Sequence, residues 1–352
     1  MTDLFPLNVV GFQTHRDQLV VAATEEELRA RLGNFADPEV PDEVWERQGV
    51  KTNSDWSLKA AREQLAAVGP TRVVKVTYRG LERRWIAMDE RLIDRMRTKV
   101  SPHLLEREDN LALVFANGSL PDGPYAVASR TPVPAAALSW RTFGTAYFAP
   151  LWIRDRTTGD WIANVPDEFL TSLSESGIEA DAQALFHYTY AVLNATTYRS
   201  RFAHALRYAF PRIPISGNPV AFEQLRGLGF ELTTIHLLER PHLAQAGPPL
   251  DGDDQAVLSA PSYDEQTSTI KLAPDLVARN VTPDVWRYQQ GAYRVVRDYL
   301  KEREGRRLTG EEFEDFRRLV GAVRLTLELL PTLDEAVELA FRTALSAEAL
   351  VQ

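Results

Sequence analysis

The hydrophobic and polar positions follow two different periods along the chain, and the change falls near residue 181. Before that point, short apolar runs of the type found in strands alternate with turn residues such as 117–118 and 121–123. The runs cover residues 8–12, 18–23, 73–78, 84–88, 111–116, 125–129 and 146–153. This pattern predicts a twisted sheet that occupies most of the first half of the chain.

Two helices are predicted within this first half. Thr24 is followed three positions later by Glu27, which is the spacing of a capping box, so a helix is expected over residues 24–35. A second helical pattern covers residues 54–68 and ends at Gly69 and Pro70, a pair that stops helices.

After residue 181 the period becomes helical. One amphipathic stretch covers residues 182–194, and a second covers residues 197–209. Residues 244–254 have the composition of a linker, and a β-hairpin is predicted around residues 264–267. Thr282 and Pro283 form a helix start, after which residues 281–344 are expected to contain about three helices.

These elements predict a mixed α/β fold, with an N-terminal lobe that contains the sheet and a helix-rich C-terminal part. A chain of 352 residues exceeds the size at which one hydrophobic core stops growing, so one large or two modest domains are expected. We predict an α/β core over residues 1–245, a linker with a hairpin over 246–275 and a helical subdomain over 276–352.

Composition limits where the protein acts. The chain has no cysteine, which excludes disulfides and thiolate metal sites. No run approaches the roughly 18 apolar residues of a membrane span, and the N-terminus lacks the pattern of a signal peptide. A cytoplasmic protein without a membrane partner is predicted.

Charge is segregated along the chain although its net value is −9. Residues 71–107 contain ten basic and five acidic side chains, a balance of +5, and residues 186–240 contain six arginines against three glutamates, a balance of +3. Such segregation permits one basic face on an acidic protein. Surface ion pairs would account for the same charges equally well.

Motifs for catalysis are absent or incomplete. The string Asn218-Pro219-Val220 lacks the second proline and the aromatic residue of an adenine methylase loop, and no Walker loop or nucleophile elbow is found. His15-Arg16-Asp17 imitates a kinase triplet without its other motifs. The six histidines are dispersed, and Asp167 with Glu168 fits a helix N-terminus better than a metal site. The chain is therefore expected to have no catalytic centre and no metal of its own.

Several strings nevertheless resemble one family. The segment with Gly11, Thr14 and Asp17 resembles the Gly-x-x-Thr-x-x-Asp loop of N6-adenine methylases, and residues 78–84 (YRGLERR) are similar to their Tyr-Arg-Pro-Phe-Asp-x-Arg string. Residues 198–202 and 206–214 are similar to Tyr-Arg-x-x-Tyr and Phe-Pro-Arg-Ile-Pro signatures, and residues 228–237 and 285–293 follow in the family's order. Together they resemble the C-terminal specificity domain of single-polypeptide type ISP restriction–modification enzymes.

The resemblance implies a target-recognition domain that holds double-stranded DNA for an N6-adenine methyltransferase domain or subunit. It implies no cofactor in this chain, since S-adenosylmethionine would bind in the upstream methyltransferase domain. Gly80 and Leu81 replace the family's Pro-Phe, which puts the role of that loop in question. The chain would then be either a part of a larger enzyme or a separate specificity subunit.

Candidate DNA contacts come from polar and basic side chains in the loops and motifs. Side chains that reach base edges specify sequence, whereas phosphate contacts position the duplex. The candidates are Lys51, Thr52, Asn53, Arg79, Arg83, Arg84, Tyr198, Arg199, Arg201 and Arg212. Core packing is an equally good interpretation of Tyr198 and a better one of Phe202. The alternative function is a protein-interaction module of a defence complex that recognises no bases.

Overall fold

The computed structural model describes residues 1–69, 72–118, 126–139 and 146–346. The α/β prediction is confirmed, since several small antiparallel sheets in the first part of the chain are followed by a helix-rich C-terminal part. The predicted turn at 121–123 lies outside the described residues.

The first 105 residues form an N-terminal unit around a three-stranded sheet. They contain strands β1 (Val9–Val10), β2 (Val21–Ala22), β3 (Val73–Arg79) and β4 (Glu82–Ala87), and helices α1 (Asp17–Val20), α2 (Glu25–Ala36), α3 (Asp42–Arg47), α4 (Leu58–Val68) and α5 (Ser101–Leu105). The sheet order is β2–β4–β3, and all its pairs are antiparallel. Its apolar face and the helices enclose a core of their own, which includes the edge-to-face pair Phe35 and Trp45 at 5.1 Å between ring centroids.

The middle of the chain adds a second sheet and two buried helices. It contains β5 (Ala112–Ala116), β6 (Ala126–Ser129), β7 (Ala146–Pro150), β8 (Trp152–Arg154), β9 (Trp161–Ala163), α6 (Asp167–Glu175), α7 (Ala182–Asn194), α8 (Thr196–Arg201), α9 (Ala203–Leu206) and α10 (Pro219–His236). The order of the second sheet is β1–β7–β5–β6. Helix α10 crosses α7 closely because Gly229 has no side chain: a Cβ there would lie 1.9 Å from the carbonyl oxygen of His187.

The C-terminal part begins with a 3-10 helix, Leu243–Ala246. It then contains β10 (Leu250–Gly252), β11 (Ser262–Asp264), β12 (Thr269–Ala273), β13 (Leu276–Ala278), α11 (Pro283–Arg287), β14 (Gln289–Gln290), β15 (Tyr293–Arg294), α12 (Val295–Lys301) and α13 (Gly310–Arg342). The four-stranded sheet has the order β10–β13–β12–β11. Thr309 and Glu312 form a capping box that starts α13, which packs along α10 and the 3-10 helix.

Most predicted elements are present with small shifts. Thr24 caps α2, residues 182–194 form α7, the hairpin around 264–267 joins β11 to β12, and Thr282 precedes α11. Asn218 caps α10 by accepting hydrogen bonds from the amides of Val220 and Ala221 at 2.9 and 3.3 Å. Its side chain therefore has a structural role in the string that resembled a methylase loop.

Four predictions of element type or extent are wrong. The strand predicted over 18–23 is confined to Val21–Ala22, and residues 18–20 belong to the short helix α1, because a brief apolar run fits either element. The helix over 54–68 begins only at Leu58, since Ser57 caps it. The strand over 146–153 breaks at Leu151, and the helix over 197–209 breaks at Phe202, where the backbone leaves helical geometry (φ −106°, ψ 15°).

The hydrophobic interior crosses the predicted domain boundaries. One large cluster contains Phe5 at one end of the chain and Ala340 at the other, together with residues from all three predicted segments. A smaller cluster runs from Phe12 to Ile93 within the N-terminal unit. The division at residues 245 and 275 stays a prediction.

Candidate nucleic-acid interface

The motif loop of residues 11–17 is fixed by close backbone packing. Gly11 faces the backbone of residues 133–135 so tightly that a Cβ would lie 2.5 Å from the carbonyl carbon of Pro134. The next residue, Phe12, is 1% exposed and exchanges backbone hydrogen bonds with Val133 and Ala135 at 3.0 and 2.8 Å. Only glycine allows this approach, which explains the first position of the motif.

Asp17 joins the two most N-terminal motif strings. Its carboxylate accepts hydrogen bonds from the hydroxyls of Thr14 and Tyr78, and it lies 3.8 Å from the Arg79 guanidinium. Burial, and then the negative charge of Asp17, raises the pKa of the Tyr78 hydroxyl. The loop and β3 together line a cavity of about 400 Å³. Motif strings some sixty residues apart therefore form one structural unit.

Arg16 is the centre at which three loops meet. It is 2% exposed, its Nη1 lies 2.6 Å from the Asp94 carboxylate, and the same nitrogen donates to the carbonyl of Leu92 at 2.8 Å. Its guanidinium also stacks on the ring of Trp56 at 3.9 Å from the centroid. His15, beside it, contacts the other oxygen of Asp94 at 2.6 Å. Together, residues 13–18, 51–56 and 90–95 form what we call the three-loop surface.

The loop with Lys51, Thr52 and Asn53 has inward anchors and an exposed tip. The Thr52 hydroxyl accepts a hydrogen bond from the backbone amide of Leu58 at 3.1 Å. The side-chain oxygen of Asn53, Oδ1, accepts one from the backbone amide of Asp55 at 2.9 Å. Trp56 fixes the end of the loop by donating from Nε1 to the carbonyl of Arg91 at 2.6 Å. Lys51, Thr52 and Asn53 are all exposed, so the ammonium of Lys51 and the amide nitrogen of Asn53 face solvent.

A further hydrogen-bonded contact extends this surface. Gln13 and Arg95 form an isolated antiparallel bridge in which each backbone amide donates to the other residue's carbonyl at 3.2 Å. The bridge holds the exposed Arg95 next to the motif loop. Arg95 belongs to the basic segment 71–107, but it was not among the candidate DNA contacts predicted from the sequence.

Arg79, Arg83 and Arg84 instead contact other parts of the protein. Arg84 is 9% exposed and pairs with Glu82 at 2.7 Å and Glu302 at 2.6 Å. Arg79 pairs with Glu302 and stacks on the Tyr78 ring at 4.6 Å, whereas Arg83 donates to the carbonyl of Leu237. Burial lowers the pKa of Arg83. Contact of these three arginines with DNA stays a prediction, and DNA would have to replace their partners within the protein.

The cluster with Tyr198, Arg199, Arg201 and Arg212 lies on a different part of the chain. Tyr198 is 1% exposed and donates to the carbonyl of Arg212 at 2.8 Å, which gives it a packing role at the turn after α9. Arg199 donates to the carbonyl of Ala195 at 3.3 Å. Arg201 lies over the Phe341 ring at 4.4 Å, and Arg212 is exposed.

Phe202 departs from the expected core position, because it is 36% exposed while packing against Tyr198 and Phe341. Arg16, Trp56 and Asp94 were not predicted as site residues. Their joint role depends on three loops meeting in space, and the one local signal was a tryptophan directly after a polar loop.

Among the described residues, no group of three or more His, Asp or Glu side chains is arranged to hold a metal ion. In the same part of the chain, each helix is either too short or too polar to cross a bilayer. The exposed side chains of the three-loop surface include the cations Lys51 and Arg95, the amide of Asn53 and the carboxylates Asp55 and Glu90. The cationic and amide groups among them are suited to contacting a polar, anionic surface.

Three solved structures share this fold. The DrdV–DNA complex determined by electron cryomicroscopy aligns with 98% of this chain at 19% identity and a TM-score of 0.64. A nuclease-deletion mutant of the Type ISP restriction–modification enzyme LlaGI, in complex with a DNA substrate mimic, aligns with 94% at 17% identity and a TM-score of 0.63. The ATP-dependent Type ISP enzyme LlaBIII bound to DNA aligns with 95% at 13% identity and a TM-score of 0.66.

The fold is thus that of one region within longer polypeptides, two of which are Type ISP restriction–modification enzymes. The chain spans 36%, 33% and 23% of the DrdV, LlaGI and LlaBIII chains, respectively. Residues 3–320 match the Type ISP C-terminal specificity domain family, and the chain belongs to that family. No functionally curated protein matches the sequence.

Proposed function

We propose that this chain recognises double-stranded DNA as the specificity part of a Type ISP restriction–modification enzyme. The observation that carries the proposal is the convergence of three loops on Arg16, which leaves Lys51, Asn53 and Arg95 exposed on one surface. Family membership supports it, and so does the presence of DNA in the three complexes with the same fold.

In this proposal the anchors and the tips of the loops have different tasks. Arg16, Trp56 and Asp94 hold the loops in place, whereas Lys51 and Asn53 approach the duplex. Asparagine can form two hydrogen bonds with adenine in the major groove, and lysine can contact guanine or a phosphate. The methyltransferase domain or subunit would be the protein partner, and the complex would act in the cytoplasm on a base turned out of the helix.

We further propose that this chain is not catalytic by itself and binds no cofactor. The support is the incomplete methylase loop, since Asn218 caps α10 in place of contacting a target base. S-adenosylmethionine would bind in the upstream methyltransferase domain. Calorimetry of the 352-residue chain with S-adenosylmethionine should give no binding signal, and saturable binding would contradict this proposal.

Duplex binding by the 352-residue chain tests DNA recognition directly. We expect salt-sensitive binding with a dissociation constant of about 1 µM or weaker at physiological salt, as is usual for phosphate-dominated contact. The double variant Lys51→Gln/Asn53→Ala should bind more weakly. Lys59→Gln is the control for the lost charge. Lys59 is 78% exposed on the adjacent helix α4, and its replacement removes the same positive charge.

Fluorescence anisotropy with labelled duplexes at two salt concentrations measures these affinities. Absence of salt-sensitive binding by the wild-type chain would contradict DNA recognition and favour the protein-interaction module. Equal affinity of the double variant and the wild type would place the interface elsewhere on the molecule.

A further inference from the structure

A cavity with three basic residues adjoins the three-loop surface and shares Glu90 and residues 93–95 with it. Its volume is about 550 Å³, and it is lined by residues 93–100 together with Val9 and Glu90. Three of the lining residues, Arg95, Arg97 and Lys99, are basic and occur at alternate positions of one loop. Arg95 and Lys99 are exposed, whereas Arg97 is half-buried.

Arg97 is held in a conformation that side chains with a Cβ rarely adopt. Its φ is +60°, in the left-handed region, which costs free energy for any residue other than glycine. Its carbonyl oxygen accepts hydrogen bonds from the amides of Val100 and Ser101, both at 2.9 Å, which fix the turn. The Arg97 Nε donates to the carbonyl of Gly11 at 3.2 Å, so the guanidinium is oriented by the motif glycine.

Two carboxylates, Glu90 and Asp94, line the cavity together with these three cations. Within the described part of the chain, no carboxylate forms an ion pair with Arg95, Arg97 or Lys99, in contrast to Arg79 and Arg84. Asp94, which also lines the cavity, is engaged by Arg16 and His15. Burial, and then the positive charge of Arg95, lowers the pKa of Arg97. An anion in the cavity would offset both effects.

We propose that this cavity binds a phosphodiester of the DNA backbone through Arg97, the oriented contact, while Arg95 and Lys99, which are exposed beside it, contact the adjacent phosphates. The inference rests on the proposed function, and it adds a phosphate site that sets the position of the duplex relative to Lys51 and Asn53. Guanidinium groups suit phosphate oxygens because their planar donors form paired hydrogen bonds. A free phosphate ion has the same chemistry, and the experiment separates the two sources.

The salt dependence of duplex binding tests the site. The triple variant Arg95→Gln/Arg97→Asn/Lys99→Gln should bind cognate and scrambled duplexes more weakly to the same extent. The slope of log affinity against log salt should fall by about two to three units, since each phosphate contact contributes about 0.9. Asparagine is chosen at 97 because it tolerates the left-handed backbone. The control is Lys271→Gln, an exposed lysine on β12, which should keep the wild-type slope.

A second measurement follows the Arg97 Nε–H signal by NMR while the wild-type chain is titrated with a duplex, with dimethyl phosphate and with inorganic phosphate. We expect the duplex and the diester to shift the signal, and the duplex to displace inorganic phosphate. If no duplex binds, the proposed function is contradicted. If neither phosphate nor diester shifts the Arg97 signal, the phosphate site in the cavity is contradicted. If inorganic phosphate shifts the signal and no duplex displaces it, the phosphodiester assignment is overturned.

Circular dichroism and thermal unfolding show whether the triple variant is folded. Should it unfold, the single variants Lys99→Gln and Arg95→Gln, whose side chains are exposed, are compared with Lys271→Gln in the same salt series. Each should lower the slope by about one unit. An unchanged slope in the triple variant, or in both single variants, would overturn the proposal.

Discussion

At the scale of single residues, Arg16 shows how a buried charge can organise an exposed surface. Its guanidinium is shared between the Asp94 carboxylate, the Leu92 carbonyl and the Trp56 ring, which belong to two other loops. A residue with one partner would fix one loop. Because these partners lie on two loops besides its own, the loss of Arg16 affects all three together.

We expect Arg16→Ala to lower the free energy of unfolding by about 3 kcal/mol, because it leaves the Asp94 carboxylate, 7% exposed, without its buried partner. Urea unfolding measures the change. Arg29→Ala is the control, since Arg29 and Glu25 are 56% and 38% exposed and such pairs contribute about 0.5 kcal/mol or less. Equal effects of the two substitutions would contradict a central role for Arg16.

A second buried residue, His236, gives the fold a dependence on pH. Its Nδ1 lies 2.6 Å from the Tyr190 hydroxyl and its Nε2 lies 3.0 Å from the Thr326 hydroxyl. Thr326 itself donates to the carbonyl of Ala322, so its oxygen accepts a hydrogen bond from Nε2–H, and the Tyr190 hydroxyl donates to an unprotonated Nδ1, as in a neutral ring. Burial lowers the pKa of His236 from 6.5 to about 3.

The unfolded chain therefore binds a proton near pH 6.5, whereas the folded chain does not do so until about pH 3. Stability from this group is complete above pH 6.5 and is lost as the pH falls, by about 1.4 kcal/mol per pH unit. We expect His236→Gln to make the curve of unfolding free energy against pH shallower between these values. The exposed His204→Gln should leave the slope unchanged. Identical slopes for His236→Gln and wild type would show that another group is responsible.

At the scale of elements, the β3–β4 hairpin is fastened to the C-terminal helices by a buried ion network. Glu82 accepts from Arg84 on its own strand and from Arg303, which follows α12, both at 2.7 Å. Arg303 also reaches Glu312 at the start of α13 at 3.2 Å and lies over the Tyr299 ring at 3.5 Å. The string YRGLERR therefore connects the N-terminal unit to the end of the chain.

Glu82→Gln should destabilise the protein by about 3 kcal/mol, because it leaves Arg84 and Arg303 buried with one negative charge fewer. The control is Glu265→Gln, whose pair with Arg287 is more than 60% exposed on both sides. Thermal unfolding compares the two variants. If Glu82→Gln unfolds at the same temperature as its control, the network does not hold the units together.

The same hairpin shows what the sequence could predict. Strands β3 and β4 were predictable because each contains a short run rich in β-branched, aromatic and other apolar residues. The partners of Arg79 and Arg84 were not, since Glu302 is more than two hundred positions away. An arginine in a family string can contact DNA or a distant carboxylate, and only the three-dimensional arrangement distinguishes these uses.

At the scale of the whole molecule, neither the charged surface nor the hydrophobic core follows the segments into which the sequence divides the chain. Of the ten basic residues between 71 and 107, five form ion pairs with carboxylates: Lys75, Arg79, Arg84, Arg91 and Arg107. The other five include Arg83, which is half-buried and donates to the carbonyl of Leu237, so the ten basic residues overstate the cationic surface available from this segment. The cations at 95, 97 and 99 remain for an external anion, next to the motif loop.

The continuity of the large core predicts how the chain responds to cleavage. Residues of α13 such as Phe316 and Val320 share the cluster with Phe115 and Phe148 of the second sheet. Removing residues 276–352 would expose this apolar surface, so we expect no folded fragment 1–275. Limited proteolysis with mass spectrometry should yield no stable fragment ending near residue 245 or 275. A resistant fragment of that kind would support the three-part division predicted from the sequence.

The separation of anchors from tips in the three-loop surface bears on how new specificities could arise. Thr52 and Trp56 tie their loop to α4 and to Arg91, whereas the Lys51 side chain contributes nothing to those ties. Exchanging Lys51 would therefore leave the scaffold intact, whereas exchanging Asn53 would also remove the hydrogen bond that its side-chain oxygen accepts from the Asp55 amide. Under the proposed function, a small library randomised at 51 could yield altered targets on an unchanged loop, while one randomised at 16 or 56 would mostly yield insoluble protein.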